Sequence, residues 1–285
     1  MSFVPTLSRA GCALLLAVLA PAAAAHGDLH ARIARLTASI REAPGSAPLY
    51  LQRGELHRIH KDWAAARRDF RAARELAPGR SDLDLHEGRL ELSAGCHARA
   101  RELLDRFLVK HPGHQRGLQS RARVLTKLGI RAAALRDYDT LLRFGGVPSP
   151  DQYLERARAQ QSLEVGAAQI VAGLDQGVDR LGPIVVLHQA ALDVELRGRA
   201  WPQALQRLDR MLAVMPLRAP WLLRRGMVLE RMRRPGQARQ AYAEGLAELA
   251  ALPRRNKIQR GLEHSLSSRM RRLRAEPGQA GRQPR

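Results

Sequence analysis

Residues 50–78 read YLQRGELHRIHKDWAAARRDFRAARELAP, two amphipathic stretches back to back with a small residue wherever they would cross. Gly54 lies in the first stretch and Ala66 early in the second. Phe70 and Ala73 follow on the face of Ala66, and Pro78 closes the segment. A shift of 34 residues carries Gly54 onto Gly88, Ala66 onto Ala100 and Pro78 onto Pro112. A second shift carries the first two onto Ala122 and Ala134. A fixed period of this length marks a stacked helical array, in which each unit buries its apolar face against its neighbours.

The composition suits that reading. The chain is 285 residues long and 45% hydrophobic, yet only 4% aromatic, and Ala, Leu, Arg, Gln and Glu dominate. All are good helix formers, so an all-α chain is expected. The formal net charge is +21, and Lys61, Lys110, Lys127 and Lys257 are the only lysines among 48 basic residues. So positive a field suits anionic partners. Heavy use of Arg and Ala throughout, as GC-rich coding would give, accounts for the same charge without a partner.

Residues 1–25 read as a secretory signal, with Arg9 ahead of an 11-residue apolar run at 10–20. Such a run is too short for a bilayer, which takes about 20 residues. Ala23 and Ala25 supply the small residues of a cleavage site, placing the cut before His26 and the protein in the periplasm or outside the cell. An uncleaved leader acting as an anchor is the competing expectation. Cys12 lies near the start of the apolar run, not after it where a lipobox cysteine belongs. Cleavage would leave Cys96 as the sole cysteine, which forms no internal disulfide.

From Leu29 the apolar positions Leu29, Ile33, Leu36 and Ile40 recur at helical spacing, and Pro44 and Gly45 end the helix. It would cap the array within residues 26–46. The first unit, about 47–80, resembles the tetratricopeptide repeat family. Tyr50, Gly54, Ala66, Phe70, Ala73 and Pro78 match the family pattern of large, small, Ala, aromatic, Ala and Pro, and Trp63 takes the aromatic turn position. The second unit keeps Gly88, Ala100 and Pro112 but has Asp84 for the large residue and Leu104 for the aromatic. The third keeps Leu118, Ala122, Ala134 and Tyr138. In the fourth, Tyr153 and Ala157 fit, Ala167 or Ala168 is the expected crossing residue, and Gly173 and Gly177 mark an expected bend. The fifth has Trp201, Ala204, Leu208 and Pro216, with Leu192 in place of the small residue, so its helices should sit further apart. The sixth recovers Leu222, Gly226, Ala238 and Tyr242. The resemblance covers residues 47–253. A basic helix at 254–276, apolar through Ile258, Leu262, Leu266, Met270 and Leu273, would cap the far end, and residues 277–285 are too polar to fold. The expected fold is therefore an all-α, right-handed superhelical solenoid of about six such units with capping helices at both ends.

No phosphate loop, nucleophile elbow or paired-cysteine metal motif is present. The resemblance implies a surface for another protein and no enzymatic activity or cofactor. It also implies that the residue after each small crossing residue lines the concave groove: Glu55, Arg89, Arg123, Arg158, Asp193 and Met227. Leu51, Leu85, Leu154 and Leu223 would flank it. Arginine forks grip carboxylates and leucines take apolar side chains, so an acidic or partly apolar peptide segment is the expected occupant. A solvated charged face is the plain alternative. The Lys and Asn carboxylate clamp of the chaperone-binding subclass is missing from the first two units, so that activity does not carry over.

Two rival readings use other residues. His26 and His30, and His57 and His60, lie three or four apart and could present helical faces to a metal in the cell envelope. The basic C-terminal helix could lie on an anionic membrane surface. Nucleic acid is not expected, because basic patches lack interleaved aromatics.

Overall fold

The computed structural model describes residues 20–144, 146–252 and 256–275, with side chains from Asp28 onward. The leader up to residue 19 and the tail from residue 276 lie outside the described residues. Fourteen helices and no strand are found among the described residues. They group into two units that divide after residue 146.

The first unit holds α1 (Ala20–Glu42), α2 (Ala47–Ile59), α3 (Trp63–Leu76), α4 (Asp82–Ser93), α5 (His97–Lys110), α6 (Gln115–Lys127) and α7 (Arg131–Phe144). The pairs α2/α3, α4/α5 and α6/α7 are the first three repeats. Their first helices also pack on one another in a row, with α1 laid against α2. Phe70 and Ala66 are fully buried in a core that runs on into Leu83 and Leu90 of the next pair. This continuity is what lets units too small to fold alone share one interior.

The small residues explain the close crossings. A Cβ added at Gly54 would sit 2.6 Å from the Phe70 ring, and one at Gly88 would sit 2.7 Å from Leu104. Beside these crossings, Arg53 grips the buried carboxylate of Asp69, with Nε donating at 2.9 Å. Two periods later Arg121 grips Asp137 in the same way at 2.8 Å.

The second unit holds α8 (Pro150–Ser162), α9 (Ala167–Leu181), α10 (Val185–Arg197), α11 (Trp201–Val214), α12 (Ala219–Arg231), α13 (Pro235–Ala250) and α14 (Lys257–Ala275). The fourth repeat departs from expectation at its crossing. Ala167 and Ala168 are exposed, and Ile170, 3% accessible, takes the crossing position ahead of the buried Leu174. The cause is one extra residue in the turn between α8 and α9, which shifts the phase of α9 relative to α8. Helix α9 also continues through both of its glycines. It runs unbroken, and Gly177 is where Tyr153 and Leu187 approach to 2.9 Å of the place a Cβ would occupy. In the fifth repeat, Leu192 and Leu208 are both fully buried at the crossing. At the far end α14 covers α13 and α12 through Leu262, Leu266, Met270 and Leu273. Ile258 is 81% exposed and takes no part, contrary to the apolar spacing.

Every repeat turns the same corner. Lys61, Gly95, Gly129, Glu164, Arg199 and Arg233 all have left-handed backbone, with φ between 55° and 83°. The next N–H in each case donates back to the carbonyl five residues earlier, as Asp62 does to His57 at 2.9 Å. This is the Schellman closure, which satisfies carbonyls that the helix end leaves open. Four of these six positions carry a side chain where glycine would be unstrained. Replacing Arg233 by Gly relieves a left-handed residue worth about 1–2 kcal/mol, against which stands the greater unfolded-state freedom of Gly, about 0.5–1 kcal/mol. The expected result is a gain of about 0.5–1 kcal/mol in urea unfolding. A lower midpoint for the variant would refute the strain argument.

Candidate partner-binding site

A cavity of about 670 Å³ opens in the first unit where α1, α2 and the start of α4 meet. Leu36 of α1 and Pro48, Leu51 and Leu56 of α2 supply its apolar lining, and Ile59, 54% exposed, stands at its edge. Glu55 of α2 and Asp82 and His86 of α4 face it from the other side, with Arg80 just ahead of α4. Arg32 and Arg35 of α1 complete the wall.

The acidic groups in this wall are already neutralised. Arg58 forks onto Glu55 at 2.9 and 2.8 Å, and Arg89 reaches it at 3.0 Å. His86 Nδ1 lies 3.8 Å from Glu55, near it but beyond a hydrogen bond. Burial pushes the Glu55 carboxyl up, but His86, Arg58 and Arg89 outweigh it and hold Glu55 far below the usual carboxylate range. Asp82 is gripped by Arg80, with Nε donating at 2.9 Å. Arg32 and Arg35, by contrast, are exposed and make no ion pair among the described residues. The cavity thus combines an apolar lining with two uncommitted guanidinium groups.

The groove anticipated from the sequence is only partly assembled here. Glu55 lines the cavity, but Arg89 is engaged by Glu55 and is no open cation. Leu51 lines the cavity at its floor, 5% exposed, whereas Leu85, equally buried, is not among the lining residues. Arg123, on α6, is exposed and does not line the cavity. In the second unit, Arg158 is exposed on α8, Leu154 is half-buried, and Asp193 pairs with Arg224 at 3.3 Å. The residues that reasoning from the repeat missed are Arg32 and Arg35. They were legible in part, since Arg32, Arg35, Leu36 and Ser39 recur at helical spacing as a second stripe beside the apolar one.

The histidines regroup across helices. His30 of α1 meets His60, at the end of α2, edge to face with ring centres 4.6 Å apart. His57 turns instead toward Asp69 and Asp62, at 3.9 and 4.0 Å, and burial holds its imidazole below its ordinary value. The side chain of His26 lies outside the described residues. No group of three or more potential ligands gathers among the described residues. Cys96 is exposed at the start of α5. The apolar stripe of α14 is packed against the core, so it is not open to a bilayer. No described helix is long and apolar enough to cross a membrane.

No protein-family model and no curated protein matches this chain. Solved structures do. The C-terminal part of a tetratricopeptide-repeat-containing protein from Cytophaga hutchinsonii superposes with a TM-score of 0.63 at 11% identity, covering 83% of this chain and 95% of that one. A tetratricopeptide repeat protein from Parabacteroides merdae gives 0.51 at 15% identity, covering 86% and 94%. The PilF protein of Pseudomonas aeruginosa gives 0.52 at 13% identity, covering 81% and 97%. At such identities the likeness is one of fold.

Proposed function

We propose that this chain, a helical array of the tetratricopeptide-repeat fold, is a non-catalytic scaffold that holds an acidic, partly apolar segment of another protein against α1, α2 and α4. The observation that carries this reading is the apolar cavity walled by Arg32 and Arg35, two cations with no counter-ion among the described residues. Apolar side chains of the segment gain by leaving water for Leu36 and Pro48, and its carboxylates gain fork-like hydrogen bonds from the arginines.

Anisotropy of a labelled peptide alternating Leu and Glu, with a Leu/Gln peptide as control, tests it. The full chain should prefer the Leu/Glu peptide, and Arg32→Ala with Arg35→Ala should weaken binding about tenfold or more. Equal affinity for the two peptides, or an unaffected double variant, removes the cavity from this role.

The location we assign is the bacterial cell envelope, on the strength of Arg9, the apolar run at 10–20 and the Ala23/Ala25 cleavage pattern. N-terminal sequencing of the protein recovered from a periplasmic fraction should begin at His26. Recovery only from the cytoplasm would defeat the assignment.

A further inference from the structure

A second cavity, of about 450 Å³, lies in the same unit between α3 and α5, on the row formed by the second helices of the pairs. Arg67, Arg71 and Arg74 of α3 and Arg99 and Arg106 of α5 line it. Beneath them Phe70, Leu90 and Leu103 are at most 1% exposed, so they offer almost no apolar surface to a ligand.

The two carboxylates in the lining, Glu87 and Glu91, act as props for the arginines. Glu91 receives Nε and Nη2 of Arg67, both at 2.8 Å. Glu87 receives Nε of Arg74 at 2.9 Å, while Asp84 receives Nη2 of Arg74 at 2.9 Å and Nη2 of Arg106 at 3.2 Å. In all three arginines the same edge, Nε and Nη2, is tied down. Their Nη1 groups make no hydrogen bond among the described residues. Arg71 is exposed and has no ion pair there either. Three guanidinium groups are thus fixed in place with donors still open, beside a fourth that is free. An anion binding there would order little that is not already ordered.

We propose that this cavity is a docking site for a run of consecutive carboxylate side chains on an acidic partner segment, separate from the peptide cavity of α1, α2 and α4. The choice of partner follows from charge and open donors: the five arginines engage four carboxylates, Glu87, Glu91, Asp84 and Glu102, which leaves Arg71 in excess and the Nη1 edges of three guanidinium groups facing outward, and guanidinium forks match carboxylate geometry. A second copy of this chain, at net charge +21, is a poor occupant. With both sites filled, the array would bridge two proteins, or two stretches of one.

Anisotropy of labelled hexaglutamate against the full chain, with hexaglutamine as control, provides the test. Arg71→Ala with Arg99→Ala is the informative variant. Neither residue holds two helices together, since among the described residues the one ion pair of Arg99 is with Glu102 on its own helix. The variant should lose about tenfold or more in affinity. Arg131→Ala with Arg136→Ala, which removes the same charge from exposed positions elsewhere in the unit, should lose little, and so should Arg32→Ala with Arg35→Ala. An equal loss in the Arg131/Arg136 variant would reduce the effect to general electrostatics and overturn the site. A loss confined to the Arg32/Arg35 variant would assign the anion to the first cavity and also overturn it. Failure to bind hexaglutamate, alongside binding to phosphatidylglycerol vesicles, would replace the acidic segment with a lipid surface. The Leu/Glu peptide experiment stands or falls independently of these results.

Discussion

Replacing Arg207 by Met should cost about 3–5 kcal/mol of stability, the usual consequence of stranding a buried charge. Arg207 is 1% exposed and joins three helices. Nη1 and Nη2 donate to Asp175 of α9 at 2.6 and 3.0 Å, while Nε and Nη2 donate to Glu195 of α10 at 3.0 and 2.9 Å. Burial opposes the charge on Arg207, but the bonds to Asp175 and Glu195 outweigh it and raise its pKa above the ordinary value. Asp175 can turn to water, being about a third exposed, whereas the Glu195 side chain at 5% cannot. Its carboxylate would be left buried without its main partner. Changing Glu195 to Leu as well should return most of the loss, because an apolar pair of similar volume needs no counter-charge. Urea unfolding followed by circular dichroism checks both. A loss below about 1 kcal/mol in the single variant, the range of an exposed pair, would mean that the triad is more solvated than its packing implies.

Replacing Gly226 by Ala should cost about 1–3 kcal/mol, the range for overpacking a tight interior. Gly to Ala within a helix ordinarily gains up to about 1 kcal/mol, so the sign is diagnostic. At Gly226 the added Cβ would overlap the Tyr242 ring, whose hydroxyl is held by Glu230. Glu230 in turn accepts from Arg269 of the capping helix at 3.1 Å, so the ring cannot move aside without loosening α14. Gly261, exposed on α14 with nothing within 4 Å of its Cβ position, is the control. Gly261→Ala should raise the midpoint while Gly226→Ala lowers it. Movement of both in the same direction would show that helix propensity, and not the Tyr242 contact, governs the site.

The helical architecture was legible because its demands are local. A close crossing needs a residue without a side chain opposite a bulky one, and Gly54 with Phe70 or Gly226 with Tyr242 state that need within 16 residues of sequence. The fourth repeat misled for the same reason. One extra turn residue moved the true crossing to Ile170, while Ala167 and Ala168 still satisfied the spacing counted from the preceding repeats. The groove was harder to read, because charge in an arginine-rich chain says little until the partners are known. Glu55 and Arg89 stand one period apart, so adjacent first helices bring them face to face and they neutralise each other. That rule was available in the sequence. The triad around Arg207 was not, since nothing in the local pattern distinguishes a buried arginine from the solvated ones beside it.

The first helix has a further consequence for how such a protein would mature. It runs from Ala20, across the point where a leader would be cut, to Glu42. Removal of everything before His26 would trim about 9 Å from the start of this helix, at 1.5 Å per residue. Arg32, the first wall residue, begins about another 9 Å further along. Processing and recognition would then occupy successive stretches of one continuous rod. A cut before His26 would fall outside the cavity wall, which begins at Arg32.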